Sequence, residues 1–157
     1  MLGAMTEPTS TDPIGTTPES ERSITLTRIG HGRYKAANSR GGETFIGSGD
    51  PDPDFTPVEL LLAAIAGCSA IDVELITGKR AQPTSFEVTC RGDKVRDADG
   101  NHLTNLRVTF DVTFPDGEAG DAARAAMPWS LTQTRDRLCS VSRTVALGEP
   151  VEFLADD

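Results

Sequence analysis

Three observations predict a chain of mixed helix and antiparallel strand. A group of short alternating segments precedes residue 50, one long apolar helix covers residues 57–77, and two long alternating segments follow it. The 157 residues are 37% hydrophobic and 25% charged, the balance of a globular protein with one sizeable core. A flexible segment is expected over 1–22 and a single domain over 23–157, because the first stretch is rich in Thr, Ser, Pro and Glu. With almost no large apolar side chains, it cannot offset the entropy of ordering itself.

The first strands are read from "SITLTRIG" and "RYKAAN", a hairpin punctuated by Gly30 and Gly32, with a third short strand over 44–47. The acidic, proline-rich "GSGDPDPDF" then leads to the helix. Thr56, Pro57 and Glu59 mark its start: an N-cap, a proline at the first helical position and a capping-box glutamate. Gly78, Lys79 and Arg80 mark its end. Leu61, Leu62, Ile65, Cys68, Asp72, Leu75 and Ile76 lie near one stripe, and the run from Leu60 to Ala66 is apolar nearly all round, which predicts a buried helix.

"TSFEVTCRGDKV" and "LTNLRVTFDVTF" alternate with period two and are separated by "RDADGNH", so they are read as an antiparallel pair turning near Asp99 and Gly100. A second helix begins near Ala122 and is expected to kink or restart at Pro128. A loop around Cys139 and a strand over 150–154 are expected to end the fold.

A net charge of −9 repels phosphate backbones and anionic lipid surfaces, so nucleic acid and membranes are excluded as partners and a small ligand is expected. The longest apolar stretch, Leu60 to Cys68, is shorter than a membrane span of roughly 20 residues. No secretory signal is read at the start of the chain, so the expected compartment is the cytoplasm. Three cysteines without a CxxC pair support neither a disulfide framework nor a zinc site, and His31 and His102 stand alone, so no metal or other cofactor is expected.

The cysteines carry the chemistry that remains. Cys68 has two readings, a small core side chain or a reactive thiol. It lies about three turns into its helix, beyond the reach of the helix dipole, and burial disfavours a thiolate, so reactivity there requires a cation. Arg33 or Arg40 can supply one. Cys139, behind "TQTRDR", suits a mobile thiol that condenses with a sulfenic acid. Cys90 shares a strand face with Phe86 and Val88 and is read as core. Glu59 has a sufficient role in the cap. Asp72 is unusual in its apolar surroundings and calls for a partner, an arginine or a backbone amide. Met127, Trp129 and Phe55 are read as core or dimer contacts, or as the wall of an apolar pocket.

Together, "PVELLLAAIAGCSAIDVELITGKR", the long strand pair and "TRDRLCSVSRTV" resemble the OsmC/Ohr family of cysteine-dependent peroxidases, most of all its OsmC-like branch. The resemblance covers residue 23 to the C-terminus. It implies an α+β fold with antiparallel sheets around a long buried helix, two chains intertwined as a homodimer, and no cofactor. It implies reduction of organic hydroperoxides by a peroxidatic Cys68 and a resolving Cys139, reset by an external dithiol. It also implies an arginine and a glutamate that hold the thiolate. Arg33 is the nearest match to that arginine, with Arg40 as fallback. The family's glutamate directly follows the proline, where this chain has Val58, and Glu59 comes one residue later, about 100° further round the helix.

Overall fold

A computed structural model describes residues 20–155, which divide into two compact units, one ending at Asp54 and the other beginning at Phe55. All but the last three residues of the expected flexible segment lie outside the described residues. In the first unit, β1 (Ile24–Gly30), β2 (Arg33–Asn38) and β3 (Glu43–Ile46) form an antiparallel sheet in sequence order. The turn between β1 and β2 places Gly32 at φ +65°, a left-handed conformation that glycine adopts without a Cβ clash. Asn38 closes the next turn, its Oδ1 accepting from the Arg40 and Gly42 amides at 2.9 and 3.0 Å.

The second unit is built on α1 (Pro57–Thr77). Its start is the expected capping box: the Thr56 hydroxyl accepts from the Glu59 amide at 3.3 Å, and Glu59 Oε2 accepts from the Thr56 amide at 2.7 Å and the Thr56 hydroxyl at 2.9 Å. These bonds hold the Glu59 carboxyl below the usual glutamate range, those from the Thr56 amide contributing most. The helix ends differently from expectation. Gly78 stays right-handed at φ −63°, and Arg80 reaches back to donate to the Ile76 carbonyl at 3.0 Å.

Thr56→Ala should destabilise the protein by about 1 kcal/mol. Because the carboxyl of Glu59 is lowered by folding, its contribution is complete above the ordinary glutamate range and is lost as pH falls through the lowered value. Urea midpoints measured down a pH series should therefore converge for the native protein and Glu59→Gln at acid pH.

The stripe of α1 that is buried comprises Ile65, Ser69, Val73, Ile76 and Thr77, displaced from the expected one. Leu61 and Leu75 are exposed, and Cys68 and Asp72 lie half-buried at its edge. The apolar run was expected to be enclosed on all sides, but one chain supplies packing for only one side of it. Over its full length, α1 is long and apolar enough to cross a membrane, a measure that core helices also meet; it packs here on β4, α2, α3 and the turn between the last two.

β4 (Ser85–Asp97) and β5 (Gly100–Thr113) pair antiparallel and are longer than expected, because pairing continues through the polar residues that were read as a loop. Only Ala98 and Asp99 turn the chain, and His102 stands on β5, exposed, opposite Val95. Phe86 and Phe110 meet edge to face with centroids 6.2 Å apart. Phe114, which follows β5, is 6% exposed, and Phe114→Ala should cost about 3–5 kcal/mol, read as a lowered denaturation midpoint.

α2 (Glu118–Gln133) runs through Pro128 without restarting and passes into a π-helical turn, Thr134–Leu138. Proline removes one backbone donor, and the remaining hydrogen bonds of the helix carry it across. α3 (Ser140–Leu147) occupies the place read as a loop, closed by Gly148 at φ +65°. No strand forms over 150–154: among the described residues no strand pairs with this segment, and Val151, Phe153 and Leu154 are exposed.

Candidate active site

Cys68, Asp72 and Cys139 come together in the second unit. One ligand atom from each, the two sulfurs and a carboxylate oxygen, lies within 4.8 Å of the others. Cys68 and Asp72 are one turn apart on α1 and share a face, and Cys139 arrives from the junction between the π-helical turn and α3. All three cysteines are free thiols, and Cys90, half-buried on β4 opposite Val108, is not part of the cluster.

Cys139 was expected to be a mobile loop thiol, but it is fully buried and fixed. It is the N-cap of α3, its Sγ accepting from the Ser142 amide at 3.3 Å. The Ser69 hydroxyl, which donates to the Ile65 carbonyl at 2.8 Å, lies 3.6 Å from the same sulfur. Burial raises the Cys139 thiol, but hydrogen bonds from Ser142, Cys68 and Ser69 outweigh it and leave the pKa below the ordinary thiol value. Cys68 is shifted the opposite way. Burial raises it most, the Val141 amide partly offsets this, and Cys139 and Asp72 add to the rise. The two thiols titrate together, with the negative charge favoured on Cys139. No cation acts on Cys68 among the described residues, so the requirement read from the sequence is not met there; hydrogen-bond donors at a helix N-terminus favour the charge on Cys139 instead.

Among the described residues, Asp72 has neither the arginine nor the backbone amide expected for it. The Thr134 hydroxyl donates to its Oδ2 at 2.8 Å. Glu59 shares the helix with Cys68 but sits about 13 Å nearer its start, its carboxylate engaged in the cap. Arg33 belongs to the first unit, where its Nε lies 3.0 Å from Asp52 and its Nη2 donates to Asp54. Arg40 is exposed in the turn before β3. The structure therefore brings the two predicted cysteines together with Asp72, and places Glu59 and Arg33 on other partners. Ser69, Ser142 and Thr134 were missed. Their signal was faint or missing: Ser69 is next to Cys68 and Ser142 a turn past Cys139, while Thr134 is 62 positions from Asp72.

A cavity of about 410 Å³ adjoins the cluster. Ile65, Leu106, Val108, Phe110, Leu131 and Val145 give it apolar walls, and it is also lined by Ser69 and Ser142, which reach Cys139, and by Thr134, which holds Asp72. The expected wall residues Phe55, Met127 and Trp129 do not line it. Phe55 and Trp129 are each 55% exposed.

A long helix carrying one thiol against a second thiol at a helix N-cap, beside a two-stranded ribbon, defines an α+β protein with a paired-cysteine site. Residues 47–153 match the profile of the OsmC-like protein family, and the chain belongs to that family. It is 25% identical over 126 residues to an uncharacterised protein of Mycobacterium tuberculosis, covering 80% of this chain and 90% of the relative. The fold is similar to that of an OsmC-like protein of unknown function from Vibrio cholerae, with TM-score 0.66, 15% identity and coverage of 80% and 93% of the two chains. It is also similar to an OsmC-like protein from Mycoplasma pneumoniae, with TM-score 0.64, 14% identity and coverage of 82% and 89%.

Proposed function

We propose that the protein is a thiol-dependent peroxidase that reduces organic hydroperoxides through Cys68 and Cys139. One observation carries this reading: two free thiols 71 positions apart in sequence stand with sulfurs within 4.8 Å of each other. Cys68, the more exposed of the two, attacks the terminal peroxide oxygen. The O–O bond breaks, the alkoxide takes up a proton and leaves as the alcohol, and Cys68 becomes a sulfenic acid. The nearby acceptor for the Cys68 proton is the Cys139 sulfur, within 4.8 Å. Cys139 then attacks the sulfenic sulfur, water leaves and the disulfide closes, so the two thiols together supply the two electrons that reduce the peroxide. An external dithiol resets the pair by exchange, a reductant that a reducing cytoplasm provides.

We assign the working unit as a homodimer, supported by the exposed apolar face of α1. Arg33 and Glu59 enter as residues to be tested, through Arg33→Ala and Glu59→Gln, because each already holds another partner.

One equivalent of an aryl hydroperoxide added to the reduced protein, followed by alkylation and mass spectrometry, tests the reading. A Cys68–Cys139 disulfide with Cys90 alkylated is the expected result. Two free thiols, or slow and equal oxidation of all three, would overturn it. A second reading, a non-enzymatic binder of an apolar molecule, is favoured by the cavity, since neither cysteine lines it. It predicts that Cys68→Ser leaves binding of an apolar fluorophore unchanged.

A further inference from the structure

We infer that the reduced Cys68–Asp72–Cys139 cluster is a binding site for one zinc ion, whose occupancy masks the thiol pair. The inference deepens the peroxidase reading, since it concerns control of the same two sulfurs. The donor set is two soft sulfurs and one hard oxygen, a combination that suits zinc. A tetrahedral site with Zn–S near 2.3 Å and Zn–O near 2.1 Å needs donors about 3.5 Å apart. The three donor atoms stand within 4.8 Å of one another, so side-chain rotation of about 1 Å closes the set.

The surroundings supply what metal ligands need besides the ligands. Thr134 holds Asp72 through Oδ2 and so leaves the other carboxylate oxygen to turn toward the sulfurs. The Ser142 amide donates to Cys139 Sγ, partly balancing two thiolates and a carboxylate around a doubly charged ion. Cys68 and Asp72 are half-buried, which leaves a path of entry and a fourth position for water. When both thiols begin protonated, binding breaks two S–H bonds, forms two Zn–S bonds and releases two protons, with no change of oxidation state. With both sulfurs bound to the ion, neither can attack a peroxide until a chelator or competing thiol removes it.

The experiment titrates the reduced, full-length protein with zinc against a chromophoric chelator, then adds aryl hydroperoxide to zinc-loaded and chelator-treated samples. One zinc per chain is expected, unchanged in Cys90→Ala. Thr134→Val should weaken it at least about tenfold, Asp72→Asn should weaken it further, and Cys68→Ser should abolish it. Near-ultraviolet spectra of the apo variants check that the folded packing survives. Zinc that binds with equal affinity in Asp72→Asn and Cys68→Ser, or that leaves peroxide oxidation of Cys68 at its metal-free rate, overturns the inference. Disulfide formation in chelator separates the two claims. If it occurs without specific zinc binding, only the zinc site fails; if zinc binds specifically and no disulfide forms, only the peroxidase reading fails.

Discussion

Cys68→Ser is expected to reduce turnover of an aryl hydroperoxide by more than about 10³-fold, to the background rate, because the serine hydroxyl is not a nucleophile at neutral pH without a base. Cys139→Ser should behave differently. Its first oxidation should survive at a reduced rate, since Cys68 is still present but has lost its proton acceptor, and the sulfenic acid has no second thiol to condense with and should persist. A sulfenic-acid-selective probe followed by mass spectrometry should label Cys68 in Cys139→Ser and not in the native protein. The substitution is mild for the fold: serine is a preferred N-cap residue, and its hydroxyl can accept from the Ser142 amide where Cys139 Sγ now does. Steady-state turnover with a dithiol should be lost in both variants and kept in Cys90→Ala. Turnover in Cys68→Ser, or a Cys139→Ser protein that never forms the sulfenic acid, would show that the pair does not work in this order.

The different responses of the two sulfurs follow from position. Cys68 is half-buried and is the attacking thiol in the proposed reaction, but burial, Cys139 and Asp72 all oppose its charge. Cys139 is better able to hold negative charge and is sealed from solvent. The thiol that is accessible and the thiol that is acidic are therefore not the same one, and in the proposed reaction a proton passes between them as the first attacks.

Local signals were legible where the physics is local. Thr56, Pro57 and Glu59 announced the start of α1 because capping is settled within four residues, and the alternation in β4 and β5 announced their pairing. The far ends of that ribbon were not legible, because Arg96, Asp97, Asn101 and His102 are polar on both faces and hide the period of two. α3 was missed because its N-cap is a cysteine, outside the usual set of capping residues. The cysteine pairing was carried by the resemblance, while Asp72 with Thr134, 62 positions apart, has no local signature at all. The same holds for Arg33, whose partners Asp52 and Asp54 lie in an acidic, proline-rich loop with nothing local to say which cation it holds.

The largest effect on assembly should come from the uncovered side of α1. Ala64, Gly67, Ile71 and Leu75 follow one another at helical spacing, and all are exposed in the single chain. Ile71 is 61% and Leu75 65% exposed, and a Cβ built on Gly67 meets no atom within 4 Å. Small residues beside large apolar ones allow a second helix to approach closely, and in a twofold dimer the same stripe serves both chains. Burying an isoleucine or leucine fully stabilises by about 1.5–3 kcal/mol, so two such residues from each chain contribute enough to decide the association. Ile71→Glu combined with Leu75→Glu should therefore convert a sedimenting dimer into a monomer at micromolar concentration, since four carboxylates would face each other across the contact. The buried stripe Ile65, Ser69 and Val73 points elsewhere, so the thiol cluster should remain folded in the variant and still react with an alkylating agent at Cys68. A native protein that sediments as a monomer, or a double variant that still sediments as a dimer, would mean that this face is not the one that joins two chains.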